Sequence, residues 1–593
     1  MNTDTEENTA ETAPRGSAEE QLAAFLGQYK KDVAALADSL RSKEMPPLTE
    51  KLFSLYEKTG NRLKYENVYF YRREFLCVFG VAAILWHRTE DMRKLEEVIL
   101  SICREKCWAL PAHVSREDNP DWAVTVDLFA SETGEAFAEI YHALYHYMDL
   151  SLLQLMREET ERRVIRPVMA RQPYASWESQ KMNWNAVCCG SVGTAAQYML
   201  PDGPEKTAFV SRMAEAIRCY IAGFGDDGAC REGLDYWTYG MSFYTMFADV
   251  LDGENVANDL MEGGKIENIA AFQQNCFFEG GRTVSFSDGF RFGRWRLGLA
   301  CFLADRYNRS GQTRILFPDF SCCLKAGFDH NWRFSQMYRD IIWTERLLED
   351  VRAGKCTAGL LRGSSGTTVF PDAQWVICRH QGGFSWAAKG GDNDEPHNHN
   401  DVGSFFLLHG STEVLCDLGS GEYTKQYFSD GRYSIFCNNA ESHNIPIAGG
   451  LLQKEGAEHR CDKFLPDPAG KVRFSLAGAY ELPSGCVLIR DIDGSDPDAF
   501  RVTDSFTVPE GPAQLEENFV TQLRAEEKDG CVCLSDGEDH VFRMALPEGC
   551  GPVKILSRTH MDHSGNRQTV TEIRFAVPQK EGTAVCTTEI RPE

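Results

Sequence analysis

The spacing of apolar residues changes near residue 355, and this change constrains the fold more than any other feature. Between about residue 20 and residue 345 the apolar residues recur at helical intervals. One such face collects Leu22, Phe25, Leu26, Tyr29, Val33, Leu36 and Leu40. Beyond about residue 356 apolar and polar residues alternate, which is typical of strands with one buried face. The sequence therefore predicts an α+β protein with two domains, residues 21–355 helical and residues 356–593 built from antiparallel sheets.

Short turn signals subdivide both halves. The helical segments have the same character but no fixed sequence period, which favours a ring of helical hairpins over a strict repeat array. In the second half, turn clusters at 493–498 and 528–530 separate the alternating runs and indicate antiparallel hairpins. We expect a β-sandwich or stacked sheets there. Two domains of different class leave a cleft between them, which is a common place for an active site.

The composition and net charge disfavour several classes of binding partner. The formal net charge of −25 disfavours nucleic acid and anionic membranes, although an acidic sugar can still bind in a locally basic groove. Residues 1–20 are acidic, lack an apolar signal core and are expected to be a disordered tail. The 21 cysteines are scattered, so reduced thiols are expected. We expect a soluble, cytoplasmic protein, and the sequence leaves homo-oligomerisation open.

Histidines and an aspartate in the sheet half suggest a metal site. His397 and His399 are two apart, so on an extended strand both imidazoles point the same way. An isolated pair of this kind is more often a hydrogen-bonded strand edge. Asp417 and His443 follow within fifty residues, and two imidazoles with a carboxylate are usual ligands of zinc.

Two motifs in the helical half contain candidate reactive groups. Tyr236 and Tyr239 are three apart and project from one side if they begin a helix, although aromatic packing inside a helical ring is an equal alternative. Asn183 and Asn185 flank a tryptophan at another helix start, where an ordinary cap is also possible. Less specific are 127–129 with Glu132, and 286–289, which read equally as structural turns.

Taken together, these motifs resemble the heparinase II/III-like polysaccharide lyases, a group that includes exolytic alginate and heparin lyases. The resemblance rests on five segments in the right order across both halves, namely NWN at 183–185, EGLDYWTYG at 232–240, HNHNDVGSF at 397–405, DLG at 417–419 and SHN at 442–444. It implies an incomplete α/α toroid followed by antiparallel β-sheets. This agrees with the periodicity.

The resemblance also implies β-elimination at a uronic acid, in which C5 loses a proton and the glycosidic bond at C4 breaks. The site must neutralise the sugar carboxylate, supply a base and protonate the leaving oxygen. By position in the motifs, Tyr236 matches the catalytic tyrosine, His397 the base or neutralising histidine, and Asn185 a carboxylate-neutralising amide. A tyrosine, whose ordinary pKa is about 10, suits this task if neighbouring positive charge lowers its pKa.

Further roles follow from the same resemblance. His399, Asp417 and His443 match the ligands of a zinc ion that is structural rather than catalytic. Tyr239, Asn183 and Glu232 are expected to contact substrate, and Arg432 is either a further contact to an acidic sugar or a surface cation. The chain departs from several relatives, because Ala186 to Cys189 replace a histidine expected near the asparagine. The base of the helical domain is therefore undetermined, and Tyr236 could serve as both base and acid.

We therefore expect an exolytic lyase that cleaves acidic oligosaccharides such as heparin, heparan or alginate fragments. Exolytic action is expected because a cytoplasmic enzyme would meet fragments, not long polymers. One alternative is a zinc hydrolase in which the metal holds hydroxide. Another is a glycoside hydrolase using carboxylates such as Glu232 and Asp235. A third is a glycan-binding protein without activity. An unsaturated product separates the lyase from the zinc hydrolase, and a requirement for the tyrosine and the histidine separates it from the glycoside hydrolase. A binding protein would tolerate Tyr236→Phe.

Overall fold

A computed structural model describes residues 16–293, 295–309, 313–318, 332–361, 365–537 and 540–593. In these ranges the α-helices are α1 Ala18–Arg41, α2 Glu50–Phe53, α3 Leu55–Thr59, α4 Leu63–Trp86, α5 Thr89–Cys103, α6 Leu128–Leu144, α7 Leu150–Thr160, α8 Arg166–Ala170, α9 Asn183–Met199, α10 Pro204–Ala216, α11 Arg218–Ala222, α12 Leu234–Gly253, α13 Gly264–Ala270, α14 Phe272–Asn275, α15 Leu297–Tyr307 and α16 Phe334–Arg352.

The longer helices form a ring. Helices α4, α6, α9 and α12 pack against one another in chain order, and α16 contacts α4, α6 and α12. Their starts lie together, because Phe70 of α4 packs on Phe129 of α6, and Tyr239 of α12 donates a hydrogen bond to Glu132 of α6. Since a helix start carries the positive end of the helix dipole, this face of the ring favours anions. The helical ring expected from the sequence is confirmed.

The second half consists of strands. They are β1 Leu316–Phe317, β2 Gly359–Leu360, β3 Gly366–Phe370, β4 Trp375–Arg379, β5 Phe384–Lys389, β6 Asp392–Asn393, β7 Phe405–His409, β8 Thr412–Leu415, β9 Ile447–Ala448, β10 Gly456–Arg460, β11 Lys463–Asp467, β12 Lys471–Ser475, β13 Val487–Asp496, β14 Ala499–Thr507, β15 Leu515–Thr521, β16 Arg524–Lys528, β17 Cys531–Ser535, β18 Val541–Ala545, β19 Lys554–Met561, β20 Arg567–Ala576, β21 Gln579–Lys580 and β22 Thr583–Pro592.

Three antiparallel sheets dominate this half. The first has the order β3-β4-β5-β7-β8, the second runs β11-β12-β13-β14-β22-β18-β17-β16 with β21 beside β22, and the third is β19-β20-β15-β9. The turn clusters at 493–498 and 528–530 connect β13 to β14 and β16 to β17. The stacked antiparallel sheets predicted from the two-residue period are therefore confirmed.

The sheet that contains β4 and β7 is buried on both faces. Alternate residues Trp375, Ile377 and Phe406 belong to the core of the helical ring. Their neighbours Val376 and Phe405 belong to the core shared with the other two sheets. The strand alternation therefore places one apolar row in each core. This shared sheet fixes the position of the loops between β6 and β9 relative to the helix starts.

The chain ends differ from the sequence expectation in one respect. Residues 16–20 do not belong to a tail, because α1 begins at Ala18 and Ser17 and Glu20 form a reciprocal capping box. Acidic residues stabilise the positive N-terminal end of a helix, so an acidic segment does not by itself indicate disorder. Residues 1–15 of the expected tail lie outside the described residues. Helix α16 ends at Arg352, close to the expected boundary. The described cysteines are free thiols, and no described helix is long and apolar enough to cross a bilayer.

Candidate active site

Tyr236 and His397 meet at the boundary between the two halves. Tyr236 lies in the first turn of α12, and His397 lies in the loop between β6 and β7. Their rings stack with centroids 3.9 Å apart and an interplanar angle of 17°. Both side chains remain partly accessible. His397 has a φ of +61°, an unusual value for a residue with a side chain, and such backbone strain is concentrated at functional sites.

Asp288 anchors this pair. Its carboxylate accepts hydrogen bonds from His397 Nδ1 at 2.8 Å and from His399 Nε2 at 3.1 Å. Tyr423, Tyr427 and Arg432 also donate to it. Burial raises the pKa of Asp288, but Arg432 and the two histidines outweigh burial and hold that pKa well below its ordinary value. Asp288 is therefore an ionised carboxylate that fixes both histidines.

Sequence reasoning missed the role of Asp288. In the sequence, residues 286–289 are a weak candidate motif that could equally be a structural turn, and neither interpretation assigns a role to Asp288. This turn packs between two of the motifs. Gly233 at the start of α12 lies close to Phe286 O, and Gly419 lies close to Gly289 O. Both glycines have a positive φ. A side chain at Gly419 would collide with that carbonyl, which explains the glycine of the DLG motif. The signal that could have revealed Asp288 was an acidic residue between two aromatic residues in a glycine turn.

The Tyr236 hydroxyl is hydrogen-bonded to the Tyr423 hydroxyl, which donates to Asp288 Oδ2 at 3.1 Å. Burial and then the Asp288 charge raise the pKa of Tyr236 well above its ordinary value. The sequence predicted a Tyr236 pKa lowered by neighbouring positive charge, and this prediction is wrong. Burial and the negative charge of Asp288 raise the pKa by more than the neighbouring cations lower it. In this state Tyr236 carries its proton.

Glu232 and Asn183 form the opposite wall. Glu232 Oε1 accepts the backbone N–H of Asn183 at 3.2 Å, and Oε2 lies 3.9 Å from His397 Nε2. Burial raises the pKa of Glu232 to about 7, with His397 opposing the shift. Among the described residues, Glu232 Oε2 and Asn183 Oδ1 have no hydrogen-bond partner although both are buried. Buried polar atoms of this kind await a partner.

Asn185 does not fit the neutralising role expected for it. Its side chain is fully buried. Its Nδ2 donates to the carbonyls of Trp177, Glu178 and Ala216, and its Oδ1 accepts the N–H of Tyr220 at 3.0 Å. These bonds join α9 to its neighbours and leave no group for a substrate. The structure indicates a structural role for Asn185 and brings Asn183 to Glu232 instead.

Tyr239, Arg432 and Asp235 are also tied to the protein. Tyr239 donates a hydrogen bond to Glu132, and the Arg333 guanidinium carbon lies 3.8 Å from the centroid of the Tyr239 ring. Arg432 donates to Asn398 O at 3.0 Å and to Asp288, and so bridges two loops of the site. Asp235 Oδ2 accepts the N–H of Phe290 at 2.8 Å, which holds the Asp288 turn.

An aromatic row leads away from Asn183 along the helix starts. Adjacent ring centroids are 5.0 to 6.0 Å apart in the order Trp184, His113, Phe129, Phe70 and Trp332, and each ring is partly exposed. His113 Nδ1 is 2.7 Å from Asp127 Oδ2. A histidine thus stands beside the NWN motif, contributed by another segment. Exposed aromatic faces of this kind suit the apolar faces of sugar rings.

Two of the predicted metal ligands, Asp417 and His443, lie close together, and the ring of His399 lies beside that of His443. His443 Nδ1 is 3.4 Å from Asp417 Oδ2, and the rings of His399 and His443 have centroids 5.3 Å apart. All three side chains are buried. Among the described residues, both ring nitrogens of His443, Nδ1 of His399 and Oδ2 of Asp417 make no hydrogen bond. Such groups are costly when left alone, and their nitrogen and carboxylate donors fit zinc.

His399 also has the outer partner that metal-binding histidines use. Its Nε2 donates to Asp288, which leaves the Nδ1 lone pair available. Burial lowers the pKa of His399, which favours the neutral imidazole that a metal needs. The buried residues therefore fit the expected ion.

The comparisons with known proteins concern the fold. No family model matches the sequence, and no curated protein matches it. Solved structures do match along nearly the whole chain. Heparinase III aligns with 97% of this chain and 92% of its own at 13% identity and a TM-score of 0.60. The chain has the heparinase III fold.

Two further solved structures share this architecture. Heparan sulfate lyase from Pedobacter heparinus aligns with 96% of this chain and 88% of its own, at 11% identity and a TM-score of 0.56. A chondroitin AC lyase from Streptomyces coelicolor A3 aligns with 96% of this chain and 83% of its own, at 9% identity and a TM-score of 0.51. The expected toroid followed by sheets is thus confirmed.

Proposed function

We propose that this protein is a polysaccharide lyase that cleaves glycans containing uronic acid by β-elimination. The observation that carries the proposal is the stacked pair of Tyr236 and His397, which come from different halves of the molecule and are both anchored around Asp288. The fold shared with solved heparan and chondroitin lyases supports it.

His397 is the proposed base. Because the ionised Asp288 accepts at Nδ1, that nitrogen carries the hydrogen and Nε2 keeps its lone pair. The Nε2 atom can then take the proton from C5 of the uronic acid. Tyr236, whose raised pKa keeps it protonated, donates to the glycosidic oxygen as the bond to C4 breaks. This division favours two separate groups over a single tyrosine that performs both steps.

Asn183 and Glu232 are proposed to neutralise the sugar carboxylate. Glu232 has a pKa of about 7, so a substantial fraction is protonated near neutrality and can donate a hydrogen bond. Asn183 offers an amide in the same buried corner. Donors placed where negative charge develops stabilise the intermediate most effectively in a site with little water. The converging helix starts add a positive potential, which lets a chain of net charge −25 bind an acidic sugar.

The proposed substrates are heparan-type oligosaccharides, because two of the similar solved structures are named heparinase III and heparan sulfate lyase. Alginate is the second substrate to test, since it offers the same C5 proton beside a carboxylate.

We further propose exolytic cleavage. Beside the active site, residues 60–63 of the helical half contact the sheet half. Gly60 packs on Lys425, Leu63 packs on Gly565, and Arg62 lies 5.5 Å from the Phe428 ring centroid. Phe428 in turn contacts Tyr423, the partner of Tyr236. A bridge at this position supports a crevice that accepts a chain end rather than a passing polymer.

A structural zinc ion held by His399, Asp417 and His443 is part of this proposal. When bound, the ion would supply neutralisation of the buried carboxylate and would fasten the loop of His397 to the segment that follows β8. Catalysis in this scheme depends on the side chains of the chain itself.

The test is incubation with heparan, heparin, alginate, chondroitin and hyaluronan oligosaccharides while ultraviolet absorbance is followed. A lyase creates an absorbing unsaturated sugar, whereas a hydrolase or a binding protein does not. Chromatography of early time points then reports the cleavage mode, because an exolytic enzyme releases one small product from the start. Absence of any absorbing product across the panel would overturn the lyase proposal.

A further inference from the structure

The fourth position of the proposed zinc site decides what the ion can do. Zinc in structural sites is held by four protein ligands, whereas catalytic zinc has three protein ligands and an open position for water. His399, Asp417 and His443 supply only three. A fourth protein ligand would keep water and substrate from the ion.

Asp401 lies beside two of these three ligands, Asp417 and His443. One ligand atom from each of Asp401, Asp417 and His443 falls within 4.8 Å of the other two. The Asp401 side chain is fully buried. Its Oδ1 accepts a hydrogen bond from Lys389 Nζ at 2.7 Å, whereas its Oδ2 has no hydrogen-bond partner in the described part of the chain. Lysine therefore pairs with Oδ1 of Asp401, and Oδ2 remains available to bind an ion.

Lys389 explains how a second buried carboxylate is tolerated. The Lys389 side chain is fully buried, and its Nζ lies close to the carboxylates of both Asp401 and Glu395. Lys389 is therefore a buried ammonium group. Its Nζ lies 2.7 Å from Asp401 Oδ1 and balances the charge of that carboxylate. One divalent ion between Asp401 and Asp417 would satisfy the remaining oxygens together with one of the unpartnered ring nitrogens of His443.

We propose that Asp401 is the fourth protein ligand of this metal through Oδ2, while Lys389 holds Oδ1 as the outer partner. This inference rests on the zinc of the proposed function. A carboxylate ligand anchored by a second hydrogen bond is a usual arrangement at metal sites. The coordination shell is then closed by protein, and the ion holds the loop of His397 without binding water or sugar.

The experiment replaces zinc by Co²⁺, whose visible absorption reports its coordination. The wild-type protein is stripped with a chelator, reloaded with Co²⁺ and titrated with azide, a small anion that occupies any open position. The same measurements are made on Asp401→Asn, which keeps the side-chain volume. The control is Asp394→Asn, an exposed aspartate in the same loop. Affinity is measured by competition with a metal-binding dye.

We expect one Co²⁺ per chain, an intense four-coordinate spectrum and no response to azide in the wild type and in Asp394→Asn. Asp401→Asn should bind Co²⁺ at least about 100-fold more weakly, beyond the ~10–100-fold typical of outer partners, and its spectrum should respond to azide. A wild-type spectrum that shifts with azide, or an unchanged affinity in Asp401→Asn, overturns the fourth ligand but leaves the metal.

A wild-type protein that takes up no metal overturns the zinc site itself. The azide titration of the wild type decides the question even if Asp401→Asn fails to fold. Lyase activity is measured separately, so its absence would not be confused with either metal result.

Discussion

Asp288 and His397 are joined by a 2.8 Å hydrogen bond between Oδ2 and Nδ1, although they lie more than one hundred residues apart in different halves of the chain. The bond places the hydrogen of the imidazole on Nδ1 and leaves Nε2 as the reactive nitrogen. The orientation of the proposed base is therefore set by a residue of the helical half.

Asp288→Asn tests this relationship. The amide preserves size but removes the charge that His397, His399 and Arg432 share. We expect kcat to fall at least about 100-fold with a smaller change in KM, because the base loses its orientation. Breaking the buried pair with Arg432 should also lower the free energy of unfolding by about 3–5 kcal/mol. Steady-state kinetics at a temperature where the variant is folded, with denaturant melts, separate the two effects. Unchanged kcat in a folded variant would show that His397 needs no such anchor.

Tyr236→Phe removes the proposed acid. The ring that stacks on His397 remains, but the hydroxyl that protonates the leaving oxygen is lost. We expect kcat to fall about 10²–10⁴-fold while the substrate still binds. Product absorbance and calorimetric binding measure the two quantities. Tyr147→Phe, at a tyrosine that is 60% exposed, is the control. Retained turnover in Tyr236→Phe would favour an unrelated reaction.

Asn183 and Asn185 provide a matched pair of variants two residues apart. Asn183→Ala should reduce kcat/KM at least tenfold (about 1.4 kcal/mol) with little change in stability, because its amide serves the substrate. Asn185→Ala should destabilise the fold by about 1–3 kcal/mol, because buried carbonyls lose their donor, and folded enzyme should keep its kcat. Thermal melts and kinetics on both proteins check the assignment. The reverse pattern would restore Asn185 as the catalytic amide.

Glu232 gives the protein a defined pH dependence. Its pKa is about 7 in the folded protein against an ordinary 4.5. Between these values the native state binds the extra proton, so stability is highest below pH 4.5 and falls as pH rises through 7, by up to ~3 kcal/mol. Glu232→Gln should flatten this part of the curve. Urea unfolding of both proteins at about pH 5 and about pH 8 measures the difference. The exposed Glu262→Gln is the control, and equal slopes in all three proteins would contradict the assignment.

Metal removal should affect activity through structure. If zinc holds the segment of His443 against the loop of His397, a chelated sample should melt at a lower temperature and lose at least about tenfold in rate. Added zinc should restore both. The measurements are thermal melts and product absorbance before and after chelation. A chelated, metal-free sample that keeps its full rate would show that the loop is held without the ion.

Much of the fold and part of the site could be predicted from sequence, since both depend on local pattern. The change from helical to alternating apolar spacing predicted the two halves, and HNHND with DLG and SHN predicted which loops meet. Asp288 escaped because an aspartate in a glycine turn looks the same whether it faces solvent or five donors. Only the packing of Gly233 and Gly419 on that turn brings the donors to it.

The choice between Asn183 and Asn185 could not be made from sequence for a related reason. Both lie in the first turn of α9, where periodicity does not yet show which side faces the interior. The carbonyls that accept hydrogen bonds from Asn185 belong to Trp177, Glu178 and Ala216. These residues lie outside helix α9, so its periodicity does not reveal them. The tyrosine pKa was also beyond sequence, because burial and Asp288 decide its direction.

The sheet that contributes a row of side chains to each of the two cores has a consequence for how this molecule can work. Two domains joined by a small, polar interface can move relative to each other, but here the shared sheet is part of two buried apolar cores. Separating the two halves would expose Trp375, Ile377 and Phe406 to solvent. If the proposed function is correct, we expect the sugar to enter and leave through movement of the loops at the rim, while Tyr236 and His397 stay in contact.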